Sequence, residues 1–360
     1  MAVLYYRAAL KILSKILQEN ASHWLFCAKF AVRHDRLTAE NLRNPVLRTF
    51  IRVIEIWTPT PDKRGLALAD AIYGKYDELK KVSEQRIFNF DEGLPGKAWS
   101  SASPQIITDL ANSYFRRKDE AARAGLNVGI AIPIFVGEFL LAVVVLLCSE
   151  KSSEEKILAG AIELWTKKNE KSSELGLVDG YYGSLKKLEE ASRNIQFARG
   201  SGLPGSVWDY RIPMLVSDMS DSSLFKRAST AAIEGITSAI GLPLFYFTNK
   251  EYVLTFLSAH STPIALRFEI WIPDRERDFL FFYAGACEQG EDISALYQNK
   301  HIKRGTGLIG KVWLTGVPAI SKNLTSDGLI NEDSKSGLTT GFVMPIIEEG
   351  FLKSIVAFMF

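Results

Sequence analysis

The chain has 360 residues, of which 47% are hydrophobic and 23% charged, and its formal net charge is +2. This length predicts two or three domains of an ordinary globular protein. Because the charge is nearly balanced, it gives no electrostatic reason to expect binding to nucleic acid or to a membrane surface.

The first predicted element is an amphipathic helix in residues 1–20, within a helical N-terminal segment over residues 1–44. Its apolar positions recur at spacings of three and four, at Val3, Tyr6, Leu10, Leu13 and Leu17. Such a stripe predicts a helix that packs on a domain or forms a homodimer interface. Because no acidic residue precedes Glu19, an organelle-import segment is the alternative.

The remainder of the chain repeats itself three times. Six of the seven tryptophans fall in two series with steps of 105 to 109 residues: Trp57, Trp165 and Trp271, then Trp99, Trp208 and Trp313. A third series ends each copy with a proline, at Pro133, Pro243 and Pro345. The repeats predict three domains, at residues 45–152, 153–260 and 261–360, because each copy is long enough to bury a core of its own.

Within each copy the predicted elements follow one order. A strand with the motif Glu-Ile/Leu-Trp comes first, then a second strand, a short amphipathic helix, a glycine-rich turn, a short strand and two final strands. Short turns between strands predict a mostly antiparallel sheet of five or six strands flanked by helices, which is an α+β fold. Since the junctions between copies are short, the sequence predicts a rigid rod or a compact stack.

The glycine-rich turn of the second copy has the spacing of a dinucleotide-binding loop, Gly200-x-Gly202-x-x-Gly205. A dinucleotide site also needs a long helix after the loop, but Pro213 limits any helix here to about two turns. In the first copy Asp91 replaces the first glycine. We therefore interpret the motif as a tight turn before a short helix whose tryptophan fills the domain core.

These motifs together resemble the GAF domain, and most closely the GAF modules of cyanobacterial and bacterial sensor kinases and signalling proteins. The resemblance covers residues 45–360 and rests on Glu-Ile-Trp, Gly-x-Gly-Leu-Pro-Gly-x-Val-Trp, and the glycine and proline of the later strand. It implies a central antiparallel sheet with helices packed on it. It also implies a sensory or regulatory role, a small-molecule pocket between the sheet and its covering loops, and dimerisation through terminal helices.

The residues do not identify a cofactor for such a pocket. The cysteines, Cys27, Cys148 and Cys287, lie far apart and none neighbours a histidine, which disfavours a covalent bilin, a metal cluster and the paired-thiol chemistry of methionine sulfoxide reduction. The same isolation favours a reducing, cytoplasmic location. No histidine recurs between copies, so a repeated haem site is excluded, and the cyclic-nucleotide signature is absent.

The best candidate ligand residues lie in the second copy, at Asp179, Tyr181 and Tyr182. Alternation along a strand places Asp179 and Tyr181 on one face. The alternative is that one of the tyrosines packs beneath the helix. The glutamates of the Glu-Ile/Leu-Trp motif, Glu55, Glu163 and Glu269, are expected on the solvent side of their strands, opposite the tryptophans.

The sequence thus predicts a non-enzymatic sensory or regulatory protein without a catalytic or metal-binding residue. It would bind a small metabolite and signal through a protein partner or a homodimer. The alternative is a ligand-free structural or interaction scaffold. The most apolar run, Phe139–Cys148, has too few residues for a membrane-spanning helix of about 20 and predicts a buried strand.

Overall fold

The structure is a computed structural model that describes residues 49–149, 160–217, 219, 224–259, 262–288, 291–331 and 337–360. The predicted N-terminal helix and its apolar stripe lie outside the described residues. No helix within the described residues is long and apolar enough to cross a membrane.

Three domains follow one another along the described chain. The first comprises β1 (Ile51–Pro59), β2 (Gly65–Ile72), α1 (Asp77–Glu84), β3 (Ile87–Asn89), α2 (Gly93–Ser101), β4 (Gln105–Ile107), α3 (Lys118–Arg123), β5 (Val128–Val136) and β6 (Phe139–Cys148). The second comprises β7 (Gly160–Lys167), β8 (Glu174–Tyr181), α4 (Lys186–Arg193), β9 (Gln196–Ala198), α5 (Gly202–Tyr210), β10 (Met214–Val216), α6 (Ala228–Ile233), β11 (Ser238–Phe245) and β12 (Glu251–Ser258). The third comprises β13 (Arg267–Pro273), β14 (Phe279–Cys287), α7 (Ile293–Tyr297), β15 (His301–Lys303), α8 (Gly307–Thr315), β16 (Ala319–Ser321), β17 (Gly341–Glu348) and β18 (Phe351–Met359).

All three sheets have the same strand order. In the first domain it is β3-β2-β1-β6-β5-β4, and the other two sheets repeat it with their corresponding strands. Every pairing is antiparallel. The α+β prediction of three antiparallel domains flanked by helices is therefore confirmed.

The central strands of each sheet are buried on both faces. On β1, Val53 and Trp57 belong to the core of the first domain, whereas Ile54 and Ile56 belong to a core that all three domains share. Burial on both faces explains why the central strands are almost continuously apolar. The predicted buried strand Phe139–Cys148 is β6, and only its first three residues retain substantial exposure.

The shared core joins the three domains in a closed ring. It contains equivalent residues of each sheet, such as Ile132, Leu242 and Met344. At the periphery, β4 contacts β8, β10 contacts β14, and β16 contacts β2, so each domain meets the next in the same way and the last meets the first. Of the two predicted arrangements, the shared core excludes the rod, which would leave the outer faces of its end sheets exposed, and agrees with the compact stack.

The repeated prolines lie where the three sheets converge. In β5 only Gly129–Ala131 pairs with β4, so Pro133 falls on a stretch where β5 is an edge strand. Pro243 and Pro345 occupy the same place beyond β10 and β16, and all three line a small central cavity of about 20 Å³. Because proline has no N–H to donate, it is suited to an edge position and prevents the three edges from pairing with one another.

Side-chain contacts between domains differ from one junction to the next. Lys322 forms a 2.7 Å ion pair with Asp70 between the third and first domains. Arg211 forms an ion pair with Glu348 between the second and third. At the junction of the first and second domains, the Phe50 ring stacks on Tyr181 with 6.1 Å between centroids.

The shared core predicts that one buried charge will separate the domains. Leu242 is fully buried in this core, and a carboxylate there would have no partner, which costs several kcal/mol. We expect Leu242→Asp to increase the radius of gyration in small-angle X-ray scattering while far-ultraviolet circular dichroism retains the sheet signal. Leu242→Met, a volume-conserving control, should leave both unchanged. An unchanged radius in Leu242→Asp would contradict the ring.

Candidate functional site

The glycine-rich turn forms a close contact between a helix and a strand. A Cβ at Gly205 would lie 2.1 Å from the carbonyl oxygen of Ala198 on β9, and the equivalent Gly96 and Gly310 are equally constrained, at 2.2 and 2.3 Å. Asp91 adopts a φ of 64°, the left-handed conformation that Gly200 has at 70°. The tight-turn interpretation is confirmed, because the glycines let the helix backbone approach the strand closely and the helix ends after nine residues.

The repeated tryptophans anchor the domain cores, with one exception. Trp57, Trp165 and Trp271 have no exposed surface, and Trp208 and Trp313 are about 5% exposed or less. Trp99 is only partly buried and touches both its own core and the shared core. The second tryptophan series therefore closes the helix side of each domain, although less completely in the first.

The glutamates of the motif are buried, and the prediction that they face solvent is wrong. Glu55, Glu163 and Glu269 are all 0% exposed. Residues i and i+2 of a strand share one face, so each carboxylate lies on the core side beside its tryptophan. The indole N–H donates to the carboxylate over 2.9 Å in the first domain, 3.2 Å in the second and 2.9 Å in the third.

In the first domain a buried arginine neutralises this carboxylate. Arg117, in the turn before α3, has no exposed surface and binds both oxygens of Glu55, with 2.9 Å between Nη2 and Oε2. The Tyr73 hydroxyl donates to Glu55 over 2.8 Å, and the Ser83 hydroxyl of α1 completes the cluster. The guanidinium also lies 5.4 Å from the ring centroid of Trp57, a cation–π distance.

The second domain repeats this cluster residue for residue. Arg227, before α6, binds both oxygens of Glu163, again with 2.9 Å between Nη2 and Oε2. Tyr182 and Ser192 donate to the same carboxylate over 3.0 and 2.9 Å. Thr255 of β12 adds a further hydrogen bond of 2.9 Å.

The third domain keeps the ion pair but supplies the arginine from elsewhere. Arg267 stands two residues before Glu269 on β13, hence on the same face, and its Nε donates to Glu269 over 2.9 Å. Its other nitrogens donate to Glu291 and to the hydroxyl of Tyr297 on α7, over 2.9 and 2.6 Å. Different positions therefore provide the same buried charge pair.

The clusters of the second and third domains shift the carboxylate pKa in opposite directions. Burial alone would raise the pKa of Glu163, but Arg227 and the hydrogen bonds from Ser192 and Thr255 outweigh it and lower that pKa. Burial dominates at Glu269 and raises its pKa despite Arg267. Arg267 divides its donors among three partners, which explains the weaker compensation.

The predicted ligand residues do not converge on one pocket. Asp179 is exposed and accepts the N–H of Gly180 over 2.8 Å. Tyr181 is 6% exposed in the shared core, on the same sheet face as Asp179, whereas Tyr182 faces the domain core and donates to Glu163. Tyr182 packs with Leu188 of α4 in the core of the second domain, beneath the helix as the alternative expected.

Sequence reasoning missed the arginines and their hydroxyl partners. Arg117 and Arg227 each lie two residues after a phenylalanine, Phe115 and Phe225, in the polar stretch before the proline strand. That repeat was a usable signal, but the third copy lacks it. The separation of 62 residues between Glu55 and Arg117 hid the pairing.

The clusters offer little for catalysis. Their carboxylates are neutralised by guanidinium groups and shielded from water. Cys148 is fully buried, and burial raises the pKa of its thiol well above the ordinary value, which suppresses the reactive thiolate. Within the described residues no group of histidine, cysteine and acidic side chains could hold a metal ion.

Comparisons with known proteins were made by sequence and by structure. No protein-family model matches the sequence, and no curated protein matches it. The similar solved structures include the free methionine-R-sulfoxide reductase of Neisseria meningitidis in complex with its substrate, at 14% identity, a TM-score of 0.22, and 27% of this chain and 52% of that chain covered. They also include the nlh2 GAF domain of A. aeolicus in an inactive state, at 23% identity, a TM-score of 0.23, and 29% and 61% covered.

A third similar structure is NreA of Staphylococcus aureus, mutated in its nitrate binding site, at 20% identity, a TM-score of 0.24, and 31% and 82% covered. The matches to the reductase and to the nlh2 GAF domain span about half to three fifths of those chains. Each match covers about one domain of the present chain. The strand order and helix placement of the three domains give the architecture that the sequence resemblance implied, so the chain consists of three tandem GAF-like domains.

The buried ion pair predicts an asymmetric response to substitution. Arg117→Met leaves the Glu55 carboxylate buried without its cation and should cost about 3–5 kcal/mol in the free energy of unfolding. Adding Glu55→Gln should recover part of this loss, because no buried charge then remains. Urea unfolding followed by tryptophan fluorescence measures both. Arg123→Met, which removes an exposed ion pair with Glu78, is the control and should barely move the midpoint; equal midpoints for both arginine variants would contradict the role of the cluster.

The opposite pKa shifts predict opposite responses to acid. The pKa of Glu163 is lowered on folding, so its stabilisation is present above the unfolded value of about 4.3 and is lost as the pH falls through the folded value. The pKa of Glu269 is raised, so its stabilisation is present below about 4.3 and is lost as the pH rises through the folded value. Urea midpoints should fall less on acidification in Glu163→Gln than in the natural chain, and more in Glu269→Gln. Changes of the same sign in both variants would refute the assignment.

Proposed function

We propose that the chain is a non-enzymatic regulatory protein in which three GAF-like domains form one ligand-free interaction scaffold. The observation that carries this proposal is that the arginine–glutamate clusters fill the space between sheet and helices. In the first two domains a guanidinium packs against the tryptophan and the motif carboxylate with 4% exposure or less. A metabolite in that space would have to displace a buried ion pair.

The scaffold interpretation is supported by the shared core as well. A sensor domain that opens around a ligand needs a sheet or a covering loop that moves. Here the outer face of each sheet is packed against the other two domains, and the helix side is held by the buried cluster. The domains are therefore suited to presenting a fixed surface to a protein partner or to a second copy of the chain.

A metabolite sensor is the second candidate, favoured by the third domain. Burial raises the pKa of Glu269. Burial also lowers the pKa of Lys300, and the nearby charge of Glu269 opposes this shift. The incompletely compensated carboxylate of Glu269 would respond to a bound cationic group more readily than the carboxylate of Glu163. A reductase function finds less support, because Cys148 and Cys287 lie in different domains.

Native mass spectrometry distinguishes the two candidates. The scaffold proposal predicts assemblies at integer multiples of the 40.2 kDa chain, with no retained small molecule. It also predicts no change in melting temperature with nitrate or methionine-R-sulfoxide, the compounds associated with two of the compared structures. A retained mass, or a melting temperature that rises with either compound, would favour the sensor.

A cavity variant provides the matched control. Arg227→Ala should leave an emptied guanidinium site facing Glu163. Millimolar methylguanidinium should then raise the melting temperature of Arg227→Ala but not that of the natural chain, because the natural site is already filled. An equal effect on both chains would contradict the filled-pocket argument.

A further inference from the structure

A cleft lies between the first and third domains, and Tyr73 of the buried Glu55 cluster is among the residues that line it. Its volume is about 590 Å³, within the range of roughly 300–1,000 Å³ that is typical of ligand sites. One wall is β2 from Leu68 to Ile72 with the adjoining Tyr73 and Gly74, together with Asp77, Lys80 and Glu84 of α1. The opposite wall is formed by Lys322, Thr339 and Thr340.

The floor of this cleft is an unpaired strand edge. The strand β2 pairs with β1 through Ile72, but it pairs with β3 only from Gly65 to Ala67. From Leu68 to Ile72 the outer edge therefore has no strand partner within the described part of the chain. These five residues span about 17 Å at the usual strand rise. Ala69 is exposed, and β16 of the third domain contacts β2 without pairing with it.

At this edge, the Asp70 side chain takes the place of a neighbouring strand as the hydrogen-bond acceptor for the Ala71 N–H. The Asp70 carboxylate accepts the N–H of Ala71 over 2.8 Å and the Lys322 ammonium over 2.7 Å. Both side chains are substantially exposed, Asp70 at 37% and Lys322 at 65%, so swinging them aside costs little. Across the cleft, the Thr340 hydroxyl oxygen is buried and has no hydrogen-bond partner within the described residues.

The charges of the cleft favour a basic occupant. Asp70 is paired with Lys322 and Glu84 with Lys80, whereas Asp77 forms no salt bridge among the described residues. If a strand displaced Asp70 from the Ala71 N–H, the carboxylates of Asp70 and Asp77 would both face it. A lysine or arginine side chain complements that arrangement.

The equivalent edge of the second domain is covered differently. There Asp179 accepts the N–H of Gly180, as Asp70 does at Ala71. However, Tyr114 of the first domain lies near this edge, and burial, together with the charge of Asp179, raises the pKa of Tyr114. The two corresponding edges thus share a hydrogen bond from a backbone N–H to an aspartate, but the Tyr114 side chain lies beside the edge of the second domain only.

We propose that the cleft between the first and third domains binds an extended, basic peptide segment of a partner protein, which pairs with β2 as an added strand. Main-chain hydrogen bonds to the β2 edge supply affinity, and the Asp70 and Asp77 carboxylates select the basic side chain. This inference rests on the proposed scaffold function and specifies the chemistry of its partner.

The test uses the full chain and two labelled peptides. Each is an alternating valine–threonine peptide of about eight residues, with one central lysine in the first and one central glutamate in the second. Fluorescence anisotropy should show saturable binding of the lysine peptide and at least about tenfold weaker binding of the glutamate peptide. Hydrogen exchange at the Ala71 amide should slow when the lysine peptide is bound.

A pair of matched substitutions locates the site. Thr339→Trp fills the cleft from an exposed position whose N–H donates to the carbonyl of Phe360. Thr237→Trp is its control, because Thr237 is likewise exposed and its N–H donates to Ser258 in the same way. We expect Thr339→Trp to weaken the lysine peptide by at least about tenfold and Thr237→Trp by less than about twofold.

The outcomes separate this inference from the scaffold function. Absence of saturable binding, or equal effects of the two tryptophan variants, overturns the peptide site while leaving the mass-spectrometric result intact. Equal affinity for the two peptides overturns the selection of a basic side chain. Retention of a metabolite in the native chain overturns the scaffold function without changing the peptide measurement.

Discussion

The structure depends on a carboxylate buried beside a tryptophan on the first strand of every domain. An ionised carboxylate in a protein interior is costly unless it is paired and hydrogen-bonded. The first two domains meet this requirement with an arginine before the third helix, a tyrosine and a helix serine. The third meets it with Arg267 on the strand itself. That two arrangements serve one carboxylate shows that the charge pair, more than any particular arginine position, is the constraint.

The same constraint limits what the domains can do. A guanidinium, a phenol and an indole occupy the volume between sheet and helices. The chain itself therefore fills the region in which the sequence resemblance implied a small-molecule pocket. The other side of each sheet is apolar and is covered by the neighbouring domains. Under the proposed scaffold function, a partner therefore binds at the outer surface or in the clefts between domains.

Much of the fold could be predicted from the repeats, and the site could not. Tryptophans and prolines in register specify three copies, and the order of strands within a copy follows from short turns and alternation. The period-two rule was also sufficient to place Glu55 on the face of Trp57, and the prediction of a solvent-facing glutamate was wrong because polarity was given more weight than strand geometry. The ring was beyond the sequence, because short linkers permit a rod as readily as a closed arrangement, and closure is decided by apolar faces that meet only in three dimensions.

Closure of the ring has a consequence that a symmetric assembly would not share. In a ring of identical subunits the three junctions are the same by symmetry. Here one chain encodes all three, and substitutions at single positions make them unequal: Asp70 faces Lys322, Asp179 lies near Tyr114, and the third domain has Ala284 at the corresponding register position, opposite Ile270. A partner that recognises one of these strand edges therefore finds a single matching edge in each molecule. Three similar folds joined in one chain can in this way present a single, oriented docking site, which three copies of one domain could not.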